Sequence, residues 1–178
     1  MKDSPLWAIN IMNGTNLWFD DIYVNSTAVN APYGKNWVQN TDGFDTMDAY
    51  NIGLTNFVYQ GGDDAIAIKS RSYNIYCQNV RTSFRHVAMD LLTNRLQVTI
   101  HGGNGIAIGS LGQYLEDSSV ANVVVKDVKV LTNNNDMHNS AYIKTWIGEQ
   151  TLQSGYESGN QPRGGGWYVL FSIARQHL

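Results

Sequence analysis

Three aspartates are spaced so that they could act together as acids and bases. Asp42 sits in Asn40-Thr41-Asp42-Gly43, and Asp63 and Asp64 are adjacent in Gly61-Gly62-Asp63-Asp64-Ala65. Like charges brought together disfavour joint ionisation, so at least one carboxyl of such a group stays protonated. A protonated and an ionised carboxyl in one site are what general acid–base catalysis needs. Asp-Gly and Gly-Asp are also ordinary turn pairs, and a turn accounts for each pair taken singly. It does not account for two adjacent aspartates facing a third, which needs a fold that brings residues 42 and 63 onto one face.

The elements around them repeat. Short runs rich in Ile, Val and aromatics recur, among them Leu17 to Val24, Leu54 to Tyr59, Ala65 to Ile68, Tyr73 to Tyr76, Gly105 to Ile108, Val120 to Val130 and Ala141 to Lys144. They alternate in polarity and are bounded by Asn, Gly and Asp, the signature of strands and turns. No segment carries a helical period. The segments that begin at Asp42, Asp64, Asn104 and Ser140 read as one strand in successive turns. The first three are followed by a second strand marked Asn51-Ile52, Asn74-Ile75 and Asn122-Val123. From residue 42 to residue 63 is a step of 21. A period of about 20 to 30 residues built from strands without helices predicts an all-β solenoid, with a β-sandwich as the alternative. Equivalent positions in neighbouring coils then lie about 4.8 Å apart, which lines Asp42 up with the Asp63-Asp64 pair on one groove.

Four motifs follow one another in a familiar order: Asn-Thr-Asp-Gly at residue 40, Gly-Asp-Asp at residue 62, Gly-Asn-Gly-Ile-Ala-Ile-Gly-Ser at residue 103 and Tyr-Ile-Lys-Thr-Trp at residue 142. In this the chain resembles the polygalacturonase family, glycoside hydrolase family 28, from about residue 4 to Trp167. Ile106 to Tyr114 and Ala141 to Trp146 resemble its fungal exo-acting branch. The resemblance implies a right-handed parallel β-helix that hydrolyses pectin with inversion. Asp63 would protonate the leaving glycosidic oxygen, and Asp42 and Asp64 would hold and deprotonate the attacking water. Lys144 would pair with a substrate carboxylate. No metal or other cofactor is implied.

Two positions depart from the family pattern. Asn104 stands where the family has the histidine of Gly-His-Gly, and asparagine can hydrogen-bond but cannot carry a positive charge. His101, three residues earlier, would be displaced from that position and is a minor candidate to substitute for it. Tyr142 stands where the family has the arginine of Arg-Ile-Lys, so a bidentate clamp on carboxylate is lost. The expected activity is exo-acting release of galacturonate; both changes weaken the case for that sugar and support the alternative of a less acidic terminal sugar, such as rhamnose on rhamnogalacturonan. Trp37, Tyr114 and Trp146 are candidate sugar-stacking faces or, alternatively, buried rings of the solenoid. Two other classes stay open: a carbohydrate-binding β-solenoid without catalysis, and a calcium-dependent eliminase, against which the absence of an arginine beside the aspartates argues.

The bulk properties narrow the partners. Charged residues make up only 15% of the 178 residues, below the roughly 25% usual for soluble domains, and neutral Asn, Gly, Ser and Thr take their place. A net charge of −3 gives no footprint for nucleic acid or an anionic membrane. The expected partner is a pectic oligo- or polysaccharide, bound by a monomer. One cysteine, Cys77, excludes an intrachain disulfide and a multi-cysteine metal site. No run approaches the roughly 20 apolar residues that span a bilayer. Asn13-Gly-Thr and Asn25-Ser-Thr are glycosylation sequons, which points to secretion, although residues 1–7 contain no signal-peptide core.

Two segments break the rhythm. Residues 81–97 interrupt the strand before Asn104, and deleting Val80 to Gln97 joins Asn79 to Val98 in the solenoid pattern. Codons for Val80-Arg81, Leu91 to Asn94 and Leu96-Gln97 can spell a splice donor, branch point and acceptor, so the segment reads as a translated intron or, alternatively, a genuine surface loop. Residues 1–167 are expected to be central and C-terminal coils of one pectinase-type β-helix incomplete at both ends, with 168–178 a divergent tail.

Overall fold

The computed structural model describes residues 1–27, 38–81, 100–101, 103–112, 118–128, 130–131 and 137–145. The expectations for Trp37, Tyr114, Trp146, most of 81–97 and the 168–178 tail fall outside these residues.

Eleven strands run through the described residues: β1 (Ile9–Met12), β2 (Thr15–Asn25), β3 (Phe44–Met47), β4 (Ala49–Gln60), β5 (Asp64–Ile68), β6 (Ser72–Arg81), β7 (Ile100–His101), β8 (Gly103–Leu111), β9 (Val120–Lys126), β10 (Val130–Leu131) and β11 (Met137–Thr145). One sheet has the order β1-β3-β5-β8-β11; the other has β10-β7-β4-β6-β9, with β2 also on β4. Every ladder is parallel. The chain passes back and forth between two parallel sheets, which is the β-solenoid expected from the repeat and the right-handed parallel β-helix implied by the family resemblance.

The rungs follow the sequence repeat. In the first sheet Ile9 pairs with Phe44, Phe44 with Ile66, Ile66 with Ile106 and Ile106 with Ala141. In the second, Leu17 pairs with Ile52, Ile52 with Ile75 and Ile75 with Val123. In β11 it is Asn139, not Ser140, that shares a rung with Asn104, because the register shifts between Met137 and Asn139.

Alternation sends one set of side chains between the sheets. Phe44, Ile66 and Ile106 meet Ile52, Leu54, Phe57, Ile75 and Cys77 there, and Phe44, Phe57, Leu54 and Ile66 are fully buried. Each such side chain is worth about 1.5–3 kcal/mol. Phe44 lies edge-on to Phe19 at 5.3 Å and to Phe57 at 6.2 Å, so the rung that carries the aspartates rests on three interlocked rings. Burial pushes the Cys77 thiol up to about 12, leaving it an inert core residue.

Near the start of β2, β4, β6 and β9 the strand bends at an asparagine that the ladder skips. Asn16, Asn51, Asn74 and Asn122 all take positive φ, between 55° and 56°, a conformation that asparagine tolerates better than other side chains. Their amides form a chain: Asn51 donates to Asn16 at 2.8 Å, Asn74 to Asn51 at 2.8 Å and Asn122 to Asn74 at 2.9 Å.

Candidate active site

The three aspartates meet at the N-terminal ends of β3 and β5. Carrying the Phe44–Ile66 register back two residues sets Asp42 beside Asp64, and the Gly43 N–H donates to the Asp64 carbonyl at 2.8 Å. The coil step here is 22 residues, from 44 to 66, so Asp64 rather than Asp63 shares Asp42's row. Asp64 pairs in turn with Asn104 on β8. Gly43 has no room for a side chain, because a Cβ would lie 2.6 Å from the Ala65 carbonyl. Gly103 has φ +66° and backs directly onto the Asp63 backbone, where a Cβ would come within 2.5 Å of the carbonyl oxygen.

Each carboxyl has its own surroundings. Asp63 accepts from the Asn40 N–H at 2.6 Å on one oxygen, and from the Asp64 N–H at 3.0 Å and the Asn104 side-chain amide at 3.2 Å on the other. Asp64 is 1% exposed; it accepts from the Tyr142 hydroxyl at 2.5 Å and from Lys144 Nζ at 2.8 Å. Asp42 is buried beside Lys69, whose Nζ is 3.6 Å from its Oδ2. Burial pushes Asp42 up to about 6; Lys69 opposes this, and the charges of Asp64 and Asp63 add to it. Burial, reinforced by the bond to Asp64, raises the Tyr142 phenol well above its ordinary value.

The residues singled out in the sequence converge: Asp42, Asp63, Asp64, Asn104, Tyr142 and Lys144 form one cluster. The departures from the family pattern find partners within it. Asn104 holds Asp63, and Tyr142 joins Lys144 on Asp64. His101 goes elsewhere, since its backbone pairs with Gln60 and Leu131 in the second sheet. Asn13 is exposed at the turn between β1 and β2. Asn25 is half-buried, with its Oδ1 accepting from the Thr27 N–H at 3.1 Å. Among the described residues no group of three His, Cys, Asp or Glu is placed to hold a metal ion, and no helix is long and apolar enough to cross a membrane.

Three participants escape a sequence reading. Tyr59 is fully buried between the two motifs; its hydroxyl lies 2.9 Å from the Thr41 carbonyl and accepts from the Asp63 N–H at 3.1 Å. Burial pushes its phenol well above the ordinary range, so it serves as a neutral clamp. Asp45 and Lys69 lie 2.9 Å apart beside Asp42, and the Trp7 ring covers the Lys69 ammonium at 4.3 Å. The one available signal is alternation: Asp45 lies between the inward Phe44 and Thr46, which places it on the groove face.

Comparison with known proteins bears on the whole arrangement. A protein named galacturan 1,4-alpha-galacturonidase C from Aspergillus niger is 63% identical over 176 residues, covering 97% of this chain and 37% of its own length. Its namesake from Neosartorya fischeri is 61% identical over 182 residues, covering 97% of this chain and 39% of its own. A protein named alpha-L-rhamnosidase rgxB from Aspergillus niger is 34% identical, covering 92% of this chain and 30% of its own length. The chain therefore spans well under half the length of these relatives. No solved structure matches it. Residues 1–157 match the family described as Glycosyl hydrolases family 28, and the chain belongs to that family.

Proposed function

We propose that this chain carries the catalytic coils of an extracellular, exo-acting pectin hydrolase that releases terminal galacturonate with inversion of configuration. The observation that carries the reading is the convergence of Asp42, Asp63 and Asp64 from two neighbouring coils. Asp63 would be the general acid toward the glycosidic oxygen. Three donors, spread over both oxygens, fix the orientation of its carboxyl. Asp42 and Asp64 would take the water. A base works best when its pKa lies near the working pH, and Asp42 at about 6 suits a mildly acidic medium. Lys144 and Tyr142 hold the Asp64 carboxylate, and Lys144, still about a third exposed, also faces the sugar acid. Relatives named as galacturonidases support this substrate.

The second reading is release of rhamnose from rhamnogalacturonan. It is favoured by the neutral residues Asn104 and Tyr142 at the two positions where the family pattern has cations, and by likeness to a protein named as a rhamnosidase. Incubation with oligogalacturonate and with rhamnogalacturonan oligomers separates the two by the sugar set free. Replacing Asp63 with Asn should lower turnover on the true substrate by at least about a hundredfold, the range ascribed to a positioned acid. Turnover unchanged in that variant would remove Asp63 from the acid's role.

A further inference from the structure

We propose that Asp45 and Lys69 are a buried positioning pair for Asp42, in which Asp45 donates a proton-bearing oxygen to the Asp42 carboxylate and Lys69 neutralises the two. The inference rests on the reading of Asp42 as a base.

The geometry leaves little else for these groups to do. Asp45 is fully buried; its Oδ1 lies 2.9 Å from Lys69 Nζ, and no hydrogen-bond donor satisfies its Oδ2. Asp42 Oδ1 is likewise buried without a hydrogen-bond donor. Orphaned buried oxygens on two carboxyls carry a cost of desolvation that one shared proton removes. Lys69 Nζ lies 2.9 Å from Asp45 Oδ1 and 3.6 Å from Asp42 Oδ2, so one ammonium brings the two carboxyls together. Burial pushes Asp45 up to about 8, against Lys69 and with the charge of Asp42 adding to it. The groups around the pair are Lys69 after β5, Asp63 and Asp64, and Tyr59 of β4, while Tyr142 and Lys144 of β11 engage Asp64.

Lys69 is not a free substrate ligand. Its side chain is 15% exposed, Asp42 and Asp45 flank its ammonium, and the Trp7 ring lies over it. It follows β5 on the same outward alternation as Ala67, which is Asp45's rung partner, so it reaches diagonally back over Asp45. A single ammonium over two carboxyls leaves one negative charge in excess. One retained proton balances the group, and it sits on the more deeply buried carboxyl.

Isosteric and truncating variants of the 178-residue chain distinguish positioning from packing. Asp45→Asn keeps a donor toward Asp42 and an acceptor toward Lys69, so kcat should stay within about threefold and KM should not move. Asp45→Ala removes the donor and should lower kcat about tenfold or more with KM unchanged. Lys69→Met removes the opposing charge and should shift the acid limb of the pH–rate profile to higher pH. A second measurement needs no activity. The infrared band of a protonated carboxyl should be present in the parent at pH 7 and missing in Asp45→Asn. Wild-type kcat in Asp45→Ala, equal damage in Asp45→Asn and Asp45→Ala, or a band that survives Asp45→Asn would each overturn the proposal. If no glycosidase turnover is found, the functional reading fails, and the infrared comparison still decides the shared proton.

Discussion

At the scale of single residues, the site is a crowd of carboxyls that burial and neighbours have sorted apart. Asp42 and Asp45 are both raised from an ordinary value of 3.8, to about 6 and about 8, with burial as the main cause. The sign of the consequence for stability is fixed by linkage. A carboxyl whose folded value is raised binds its proton more tightly folded than unfolded. Its contribution is complete below about pH 4 and is lost as pH rises through the folded value. These two groups should therefore contribute a loss of stability as pH rises from about 4, complete near pH 6 for Asp42 and near pH 8 for Asp45. Melting temperature measured from pH 4 to pH 9 checks this. Asp45→Asn should flatten the alkaline part of the curve, because asparagine has no proton to lose. A melting temperature that rises steadily from pH 4 to pH 8 would contradict these assignments.

At the scale of elements, the asparagine ladder holds the bends near the starts of four second-sheet strands. Asn74 shows what each rung contributes, since its amide donates to Asn51 and its oxygen accepts from Asn122 while the backbone stays at φ 56°. Replacing it with Gly keeps the backbone free and loses two hydrogen bonds, about 1 kcal/mol each. Replacing it with Ala loses the same bonds and adds the left-handed penalty of about 1–2 kcal/mol. Urea unfolding should rank the chains as parent, Asn74→Gly, then Asn74→Ala; an alanine variant as stable as the glycine variant would mean that the turn relaxes to another conformation. The ladder also shows what was legible in the sequence. The Asn-Ile and Asn-Val marks announce the repeat, and alternation announces the strands. Asn16 escapes notice because Leu17 follows it in a longer run. The alignment of the segments that begin at Asp42 and Asp64 is the true row, a step of 22, whereas the step of 21 from residue 42 to residue 63 is one residue short, and in a strand one residue exchanges the faces. Alternation places Asp45 on the groove face, but Tyr59 and Lys69 join the site only through register and diagonal reach, which depend on how coils stack.

At the scale of the whole molecule, the coil that carries Asp64 to Asn104 bears on the reading of Val80–Gln97 as an insertion. Adjacent residues of β4, Val58 and Tyr59, pair with Arg81 and with Ile100, so the ladder passes from 81 to 100 without missing a rung. The eighteen residues numbered 82–99 fall between two successive rungs. The same number lies in Val80–Gln97, and removing that segment would set Val98 on Phe57's rung, where Val80 stands, and Thr99 on Val58's, where Arg81 stands. The first-sheet step from Ile66 to Ile106 is 40 residues, and eighteen fewer would make it 22, equal to the step from Phe44 to Ile66. Coil length alone decides nothing, since the steps from Ile9 to Phe44 and from Ile106 to Ala141 are 35 each. Continuity of the ladder is the stronger argument. A chain lacking Val80–Gln97 should keep the parent's far-ultraviolet circular dichroism and gain about 2–3 kcal/mol, the closure entropy of an eighteen-residue excursion. Sequencing the mature message across the codons for Asn79 to Thr99 tests the origin of the segment independently. If the shortened chain loses its β signal or melts below the parent, Val80–Gln97 is packed into the coil and the insertion reading fails. If it melts higher and the eighteen codons are missing from the message, the uninterrupted coil is the one in which Asp63, Asp64 and Asn104 should be assayed.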